Sequence, residues 1–252
     1  MEEVKLSPEE LKEAIDFGKL IGSGFFSSVF TYKGRLIKMD DTLYNLLKVN
    51  SPNFSKEVIA HHYRWDKKDF NDREQIEELS KKQPLIRPKV PEGIITIKDS
   101  DSSINNISPG IIIPYFEGYN SLRNISKTDY KKLLIFLRKI FDDIKNLADN
   151  EIAQEDLYHA IGNAKNPFKP VLYDYNIIQN GEDAQIIDMS GPLVKVGKDF
   201  KDASLMYKEL AGLINTFYKA NNIKPIYDEK ENITEDNLAD MISEFDKQTR
   251  MK

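Results

Sequence analysis

Hydrophobic and polar positions along this chain change period several times, and each change marks an element. Ser7-Pro8-Glu9-Glu10 opens a helix: serine caps, proline suits the first turn, and Glu10 reaches back to the cap. That pattern fades near Asp16. Residues 17–21 read as a strand, followed by the glycine turn Gly22-Ser23-Gly24. Residues 28–32 and 35–39 read as a second and a third strand around a hairpin turn at Lys33-Gly34. Residues 53–65 are helical by pattern, with Val58, Ile59, Tyr63 and Trp65 as candidate buried positions, and 70–82 form a second, more charged helix.

A proline-bounded break at 84–91 precedes two short β-branched runs, 93–97 and 110–115, separated by a Ser/Asn/Asp-rich solvent loop. A long helix is predicted from about 127 to 148, with Leu133, Leu134, Leu137, Ile140, Phe141, Ile144 and Leu147 at helical spacing. Residues 176–179 and 184–188 form a hairpin around Asn180-Gly181, 205–220 an apolar-faced helix, and 238–245 part of a last helix opened near Thr234. The composition shifts from strand-rich to helix-rich near Gly118. The expectation is an α+β fold, one domain of 1–252 with a small strand-rich lobe (about 1–117) and a helical lobe (about 118–252).

Composition narrows the function classes. The 252 residues suffice for a real core, and 40% hydrophobic with 31% charged residues is ordinary for a globular protein. A net charge of −5 argues against a nucleic-acid binder. With no cysteine, disulfides, thiol nucleophiles and thiolate metal sites are excluded. Three histidines (His61, His62, His159) make a histidine metal site a poor expectation. No secretory signal and no membrane-length apolar run are visible. A cytoplasmic protein, or one delivered to a host cell without a cleaved signal, is therefore expected.

Four pieces carry candidate chemistry. In Ile21-Gly22-Ser23-Gly24-Phe25-Phe26-Ser27-Ser28-Val29, glycines at a strand turn let backbone N–H groups approach phosphate oxygens, and the valine beyond can pack on a flat base. Lys38 follows two apolar residues on the third strand and is placed to hold phosphate; Glu57, on the next helix, is placed to pair with it. Each alone has a bland reading: an empty glycine hairpin, a solvated lysine, a surface glutamate. Asn176 and Asp188 close the two ends of the short hairpin. An amide and a carboxylate there are hard oxygen ligands suited to magnesium bridging nucleotide phosphates.

Taken in order, these pieces resemble the protein-kinase superfamily over residues 17 to 220 or so. Gly22, Gly24 and Val29 match its glycine-rich loop, Lys38 the lysine ending its Val-Ala-Ile-Lys-type strand, and Glu57 its helix glutamate. Ile111-Ile112-Ile113-Pro114-Tyr115-Phe116-Glu117-Gly118 looks like the strand and hinge that bind adenine. Asn176 and Asp188 match the two metal ligands. The resemblance implies a bilobal kinase-like fold with an abbreviated helical lobe, as in minimal bacterial effector kinases. It also implies ATP and Mg2+ as cofactors, and nucleotide contacts at Ile21, Gly22, Gly24, Ser27, Val29, Lys38, Ile113, Tyr115 and Phe116.

The chain departs from the family in two places. Asp188-Met189-Ser190 stands where the family has Asp-Phe-Gly, and no Ala-Pro-Glu segment follows. The catalytic loop should place an aspartate five positions before the metal asparagine, where this chain has Val171. Gln154-Glu155-Asp156-Leu157 follows the long helix where that loop belongs, so an insertion of about fifteen residues is inferred before Asn176. Asp156 is the expected base, with Asp174 as the alternative. The implied function is a phosphotransferase acting on Ser/Thr, less readily Tyr, hydroxyls of a protein substrate. No acidic cluster of the kind that holds small cationic acceptors is present. A pseudokinase interaction module is the alternative, and a small-molecule kinase a second one.

Overall fold

The computed structural model describes residues 1–23, 27–49, 73–98, 108–121, 130–161, 172–180, 183–220, 223–227 and 232–250. The fold is α+β and divides into two compact units. The first holds Met1–Gln83, Val90–Phe116 and Ser190–Pro192; the second holds Pro84–Lys89, Glu117–Met189 and Leu193–Lys252.

The first unit is built on a six-stranded sheet of β1 (Glu2–Leu6), β2 (Lys19–Ser23), β3 (Ser27–Tyr32), β4 (Arg35–Asp40), β5 (Gly93–Ile97) and β6 (Gly110–Ile113), in the order β1-β5-β6-β4-β3-β2. Only the β1–β5 pair is parallel. Helix α1 (Pro8–Phe17) starts at the capping box: the Glu10 N–H donates to Ser7 Oγ at 3.2 Å, and the Ser7 N–H donates to Glu10 Oε2 at 2.7 Å. It ends at Gly18, whose backbone turns extended, and only glycine fits there, because a Cβ would lie 2.4 Å from the Ala14 carbonyl oxygen and 2.8 Å from the Phe30 ring. Phe17, expected in a strand, instead ends this helix with its ring 82% exposed. A short α2 (Asp41–Lys48), left unassigned by the periodicity, is capped by Asp40, whose carboxylate accepts from the Leu43 N–H at 2.8 Å.

Strand alternation sorts this sheet into two faces. Phe30, Ile37 and Ile112 lie side by side on one of them and join Leu11, Ile15, Leu43 and Leu47 of α1 and α2 in the larger core. On the other, register aligns Gly22, Val29, Lys38, Ile111 and Ile94 across five strands. That face packs Ile94 and Ile111 against Ile76 of α3 (Arg73–Lys82).

In the second unit, α4 (Tyr130–Asp149) buries Leu133, Leu137, Ile140, Ile144 and Leu147 of the positions its spacing marks, leaves Leu134 and Phe141 half-buried, and also buries Phe136. Helices α5 (Ser204–Ala220) and α6 (Glu235–Arg250) complete the helical core, with Tyr218 stacked on Phe245 at 5.8 Å and donating its hydroxyl hydrogen to the Met241 carbonyl at 2.5 Å. Small two- and three-stranded sheets lie between. β8 (Ile152–Gln154) pairs with β13 (Val194–Val196), β9 (Tyr158–Ile161) with β10 (Leu172–Tyr175), and β11 (Ile177–Gln179) with both β12 (Ala184–Ile186) and β7 (Asn120–Ser121). Among the described residues no helix is long and apolar enough to cross a membrane.

Candidate functional site

β8 delivers the chain to the candidate catalytic loop, and Gln154 at its end is only 2% exposed. Its amide works in two directions. Nε2 donates to the Asp188 carbonyl at 2.6 Å, while Oε1 accepts the Asp156 N–H at 3.2 Å. The neutral amide thus fixes the backbone of both aspartates, using one donor and one acceptor. Leu157 anchors the next step. Its side chain is buried, its N–H donates to Glu209 Oε2 of α5 at 2.5 Å, and its carbonyl accepts the Asn176 N–H at 3.1 Å.

Asn176 closes the group. Its Nδ2 donates to the Asp156 carbonyl at 2.5 Å and to the Asp156 carboxylate at 3.2 Å, and its carbonyl accepts the Ile187 N–H at 2.9 Å. With Nδ2 committed to Asp156, Oδ1 is the end of the amide left to face a hard cation. Asp156, Asn176 and Asp188, well separated in sequence, are held together by these bonds.

The long gap between Asp156 and Asn176 has a simple form. β9 and β10 are antiparallel partners, Tyr158 opposite Tyr175 and Ile161 opposite Leu172. The inserted segment is therefore a hairpin leaving at Leu157 and returning at Asn176; residues 162–171 lie outside the described set. Asp174 sits in β10 opposite His159. Asn176 lies in the bend between β10 and β11, so the two do not share one strand.

Asp188 was expected to end a buried strand. β12 stops at Ile186, and Asp188 follows in the left-handed region with φ 60°. Aspartate tolerates that region better than most side chains, though at a cost of about 1 kcal/mol or more. Met189 and Ser190, buried next to it, lead to a bend at Gly191, which has φ 92°.

The opposite end of the β11–β12 hairpin is pinned by charge. Asp183 accepts from Arg87 Nη1 at 2.8 Å, Lys139 Nζ at 2.9 Å, Tyr119 Oη at 2.5 Å and Gln185 Nε2 at 3.2 Å. Burial pushes its carboxyl up, but these hydrogen bonds together outweigh burial and hold it well below the usual carboxylate range. Arg87 also forks onto Asp143 of α4, Nε to Oδ1 and Nη2 to Oδ2, both at 2.5 Å. Burial of Asp143 pushes its carboxyl up to about 6 despite that pairing.

The other candidates lie in the first unit. Gly22, Val29 and Lys38 share a face of the sheet with Ile111, and Ile113 packs at its edge. Lys38, Val29 and Ser27 are half-buried, Ile21 is 52% and Tyr115 68% exposed, and Phe116 is half-buried. Gly24 and Glu57 lie outside the described residues, as do His61, His62 and Trp65. Periodicity gave no sign of Gln154 as a two-way bridge, of Glu209 beneath the loop, or of Gln75, whose amide holds Gly191. Each is a single polar side chain on an element otherwise read by its apolar positions.

Among the described residues no group of three or more His, Asp or Glu side chains is placed to hold a metal ion. Asn176 and Asp188 supply one carboxylate between them, so they fall outside such a group. No protein-family model matches this chain, and no curated protein matches its sequence.

Proposed function

We propose that this chain is an ATP- and magnesium-dependent phosphotransferase of the protein-kinase-like kind, acting on Ser/Thr hydroxyls of a protein. The observation that carries the reading is the Asn176 amide bonded to both the carbonyl and the carboxylate of Asp156. That contact draws together the expected base and an expected metal ligand although a whole hairpin separates them in sequence. The bridge from Gln154 to the backbones of Asp156 and Asp188 adds the third member.

The residues fit the roles. Asn176 Oδ1 and the Asp188 carboxylate would hold magnesium, which neutralises charge on the transferring phosphoryl group when bound. Asp156 has its backbone fixed by Gln154 and its carboxylate steadied by Asn176, so one oxygen can accept the proton of an acceptor hydroxyl. Lys38, on the sheet row with Gly22 and Val29, serves the α/β-phosphates. Val29 and Ile113 offer apolar surface to a base. A bilobal kinase fold is part of the same proposal and is supported by a strand-rich first unit and a helix-rich second one.

The test has two arms. Mg-ATP at one hundred times its dissociation constant should stabilise the folded chain by about 2.7 kcal/mol in a thermal-shift or urea experiment. Lys38→Met should abolish transfer of radiolabelled phosphate from ATP to a mixed peptide library while leaving the circular dichroism spectrum unchanged. A folded parent with no Mg-ATP shift overturns the nucleotide site. Binding without any turnover leaves the chain a pseudokinase.

A further inference from the structure

On α3, Gln75 makes contacts that the helix's apolar packing does not explain. Gln75, half-buried on its first turn, accepts the Gly191 N–H on Oε1 at 3.1 Å and donates Nε2 to the Gly191 carbonyl at 2.9 Å. Those two backbone groups belong to successive peptide planes, so one rigid amide bonded to both restrains the φ and ψ between them. Gly191 has φ 92°, and a Cβ added there would meet nothing within 4 Å. The torsion rather than crowding is what requires glycine, and the torsion is what Gln75 holds.

Only Met189 and Ser190 separate Gly191 from Asp188, and they are 2% and 7% exposed. Residues so enclosed cannot absorb a change of torsion by swinging outward. Upstream, the Asp188 carbonyl is held by Gln154. The stretch from the Asp188 carbonyl to Gly191 is therefore held at both ends by glutamine amides, and Asp188 at its head, with φ 60°, is the proposed metal ligand.

We propose that Gln75 is a positioning residue for Asp188: by fixing Gly191 it sets the stretch from which the Asp188 carboxylate meets magnesium. This inference rests on the phosphotransferase reading above. Its consequence is specific, because Gln75 bonds the Gly191 backbone and is not among the residues proposed to hold nucleotide or metal. Losing it weakens magnesium binding and leaves metal-free nucleotide affinity alone.

The experiment uses the full chain as parent, Gln75→Ala and Gln75→Glu. MgCl2 is titrated at fixed ATP and followed by thermal shift, and amide hydrogen exchange at Gly191 is measured without metal or nucleotide. Gln75→Ala should speed Gly191 exchange about tenfold and raise the Mg2+ midpoint about tenfold, equivalent to ~1.4 kcal/mol. Gln75→Glu keeps the acceptor for the N–H and loses the donor to the carbonyl. It should fall between the two, and it covers the case in which the alanine variant does not fold. Unchanged Mg2+ midpoints in variants whose Gly191 exchange has risen make Gln75 a purely structural contact and overturn the inference, with the phosphotransferase reading intact. A parent with no Mg2+-dependent ATP shift overturns that reading, and the inference with it.

Discussion

Replacing Arg87 by methionine tests how the hairpin that carries Asn176 is secured. Methionine keeps most of the side-chain stem and removes the guanidinium, leaving Asp143, whose side chain is 2% exposed, without its fork of two hydrogen bonds. Removing one member of a buried ion pair costs about 3–5 kcal/mol, because the remaining charge stays desolvated. The Arg87 side chain is 37% exposed, so water can reach part of the vacated space, which puts the expected loss near ~3 kcal/mol. The pH dependence is diagnostic. Burial already holds Asp143 at about 6, above its ordinary 3.8, against the opposing pull of Arg87 and with added repulsion from Asp183 and Asp142. A carboxyl whose folded pKa is raised contributes stability that is present at low pH and lost as pH rises through the folded value. Without Arg87 that value climbs further, so the deficit of the variant should be large at pH 8 and shrink toward pH 5, where Asp143 is protonated in both proteins. Asp183, held well below the usual carboxylate range, stays ionised over this interval and does not mask the effect. Adding Asp143→Asn to Arg87→Met should recover most of the loss, since neither charge is then buried alone. Urea unfolding of the parent, both single variants and the pair at pH 5, 7 and 8 measures all of this. A loss below ~1 kcal/mol at pH 7, or a deficit that ignores pH, refutes the reasoning.

The remaining predictions are simpler. Asp156→Asn should lower phosphoryl transfer by about 10²–10⁴ while Mg-ATP binding, read by thermal shift, stays within a few-fold; if Asp174→Asn alone does this, Asp174 is the base. Gly18→Ala places a Cβ 2.4 Å from the Ala14 carbonyl, and chemical denaturation should show a loss of about 1–3 kcal/mol. Tyr218→Phe removes the donor to the Met241 carbonyl but keeps the ring against Phe245, so a loss of about 1–3 kcal/mol is expected, smaller than for Tyr218→Ala.

Much of the fold is legible in local pattern. The capping box at Ser7, the Lys33-Gly34 hairpin and the apolar stripe of α4 are short-range signals, and all three appear where the spacing puts them. β1 and α2 are not legible in the same way. Glu2–Leu6 becomes a strand only because β5 offers a parallel edge, a contact between residues some ninety positions apart. Asp41–Lys48 is a helix too short to announce itself by period, though Asp40 ahead of Leu43, Tyr44 and Leu47 is a cap-and-stripe signal in retrospect. At the candidate site, residue types pointed to Asp156, Asn176 and Asp188, but not to how they are held. Gln154, Glu209 and Gln75 act through backbone groups far away in sequence, and a backbone partner leaves no trace in side-chain spacing. The left-handed torsion at Asp188 is a backbone angle and leaves no trace in side-chain spacing either.

The β9–β10 hairpin separates two quantities that motif searching treats as one. Leu157 and Asn176 are joined by a 3.1 Å backbone hydrogen bond at its base, so what lies beyond is a side branch of the chain. Closing such a branch costs only about 0.6 kcal/mol for each doubling of its length. The branch can therefore lengthen, shorten or carry a grafted sequence while Asp156 and Asn176 keep their distance. Fixed-spacing patterns across this stretch measure the branch rather than the site.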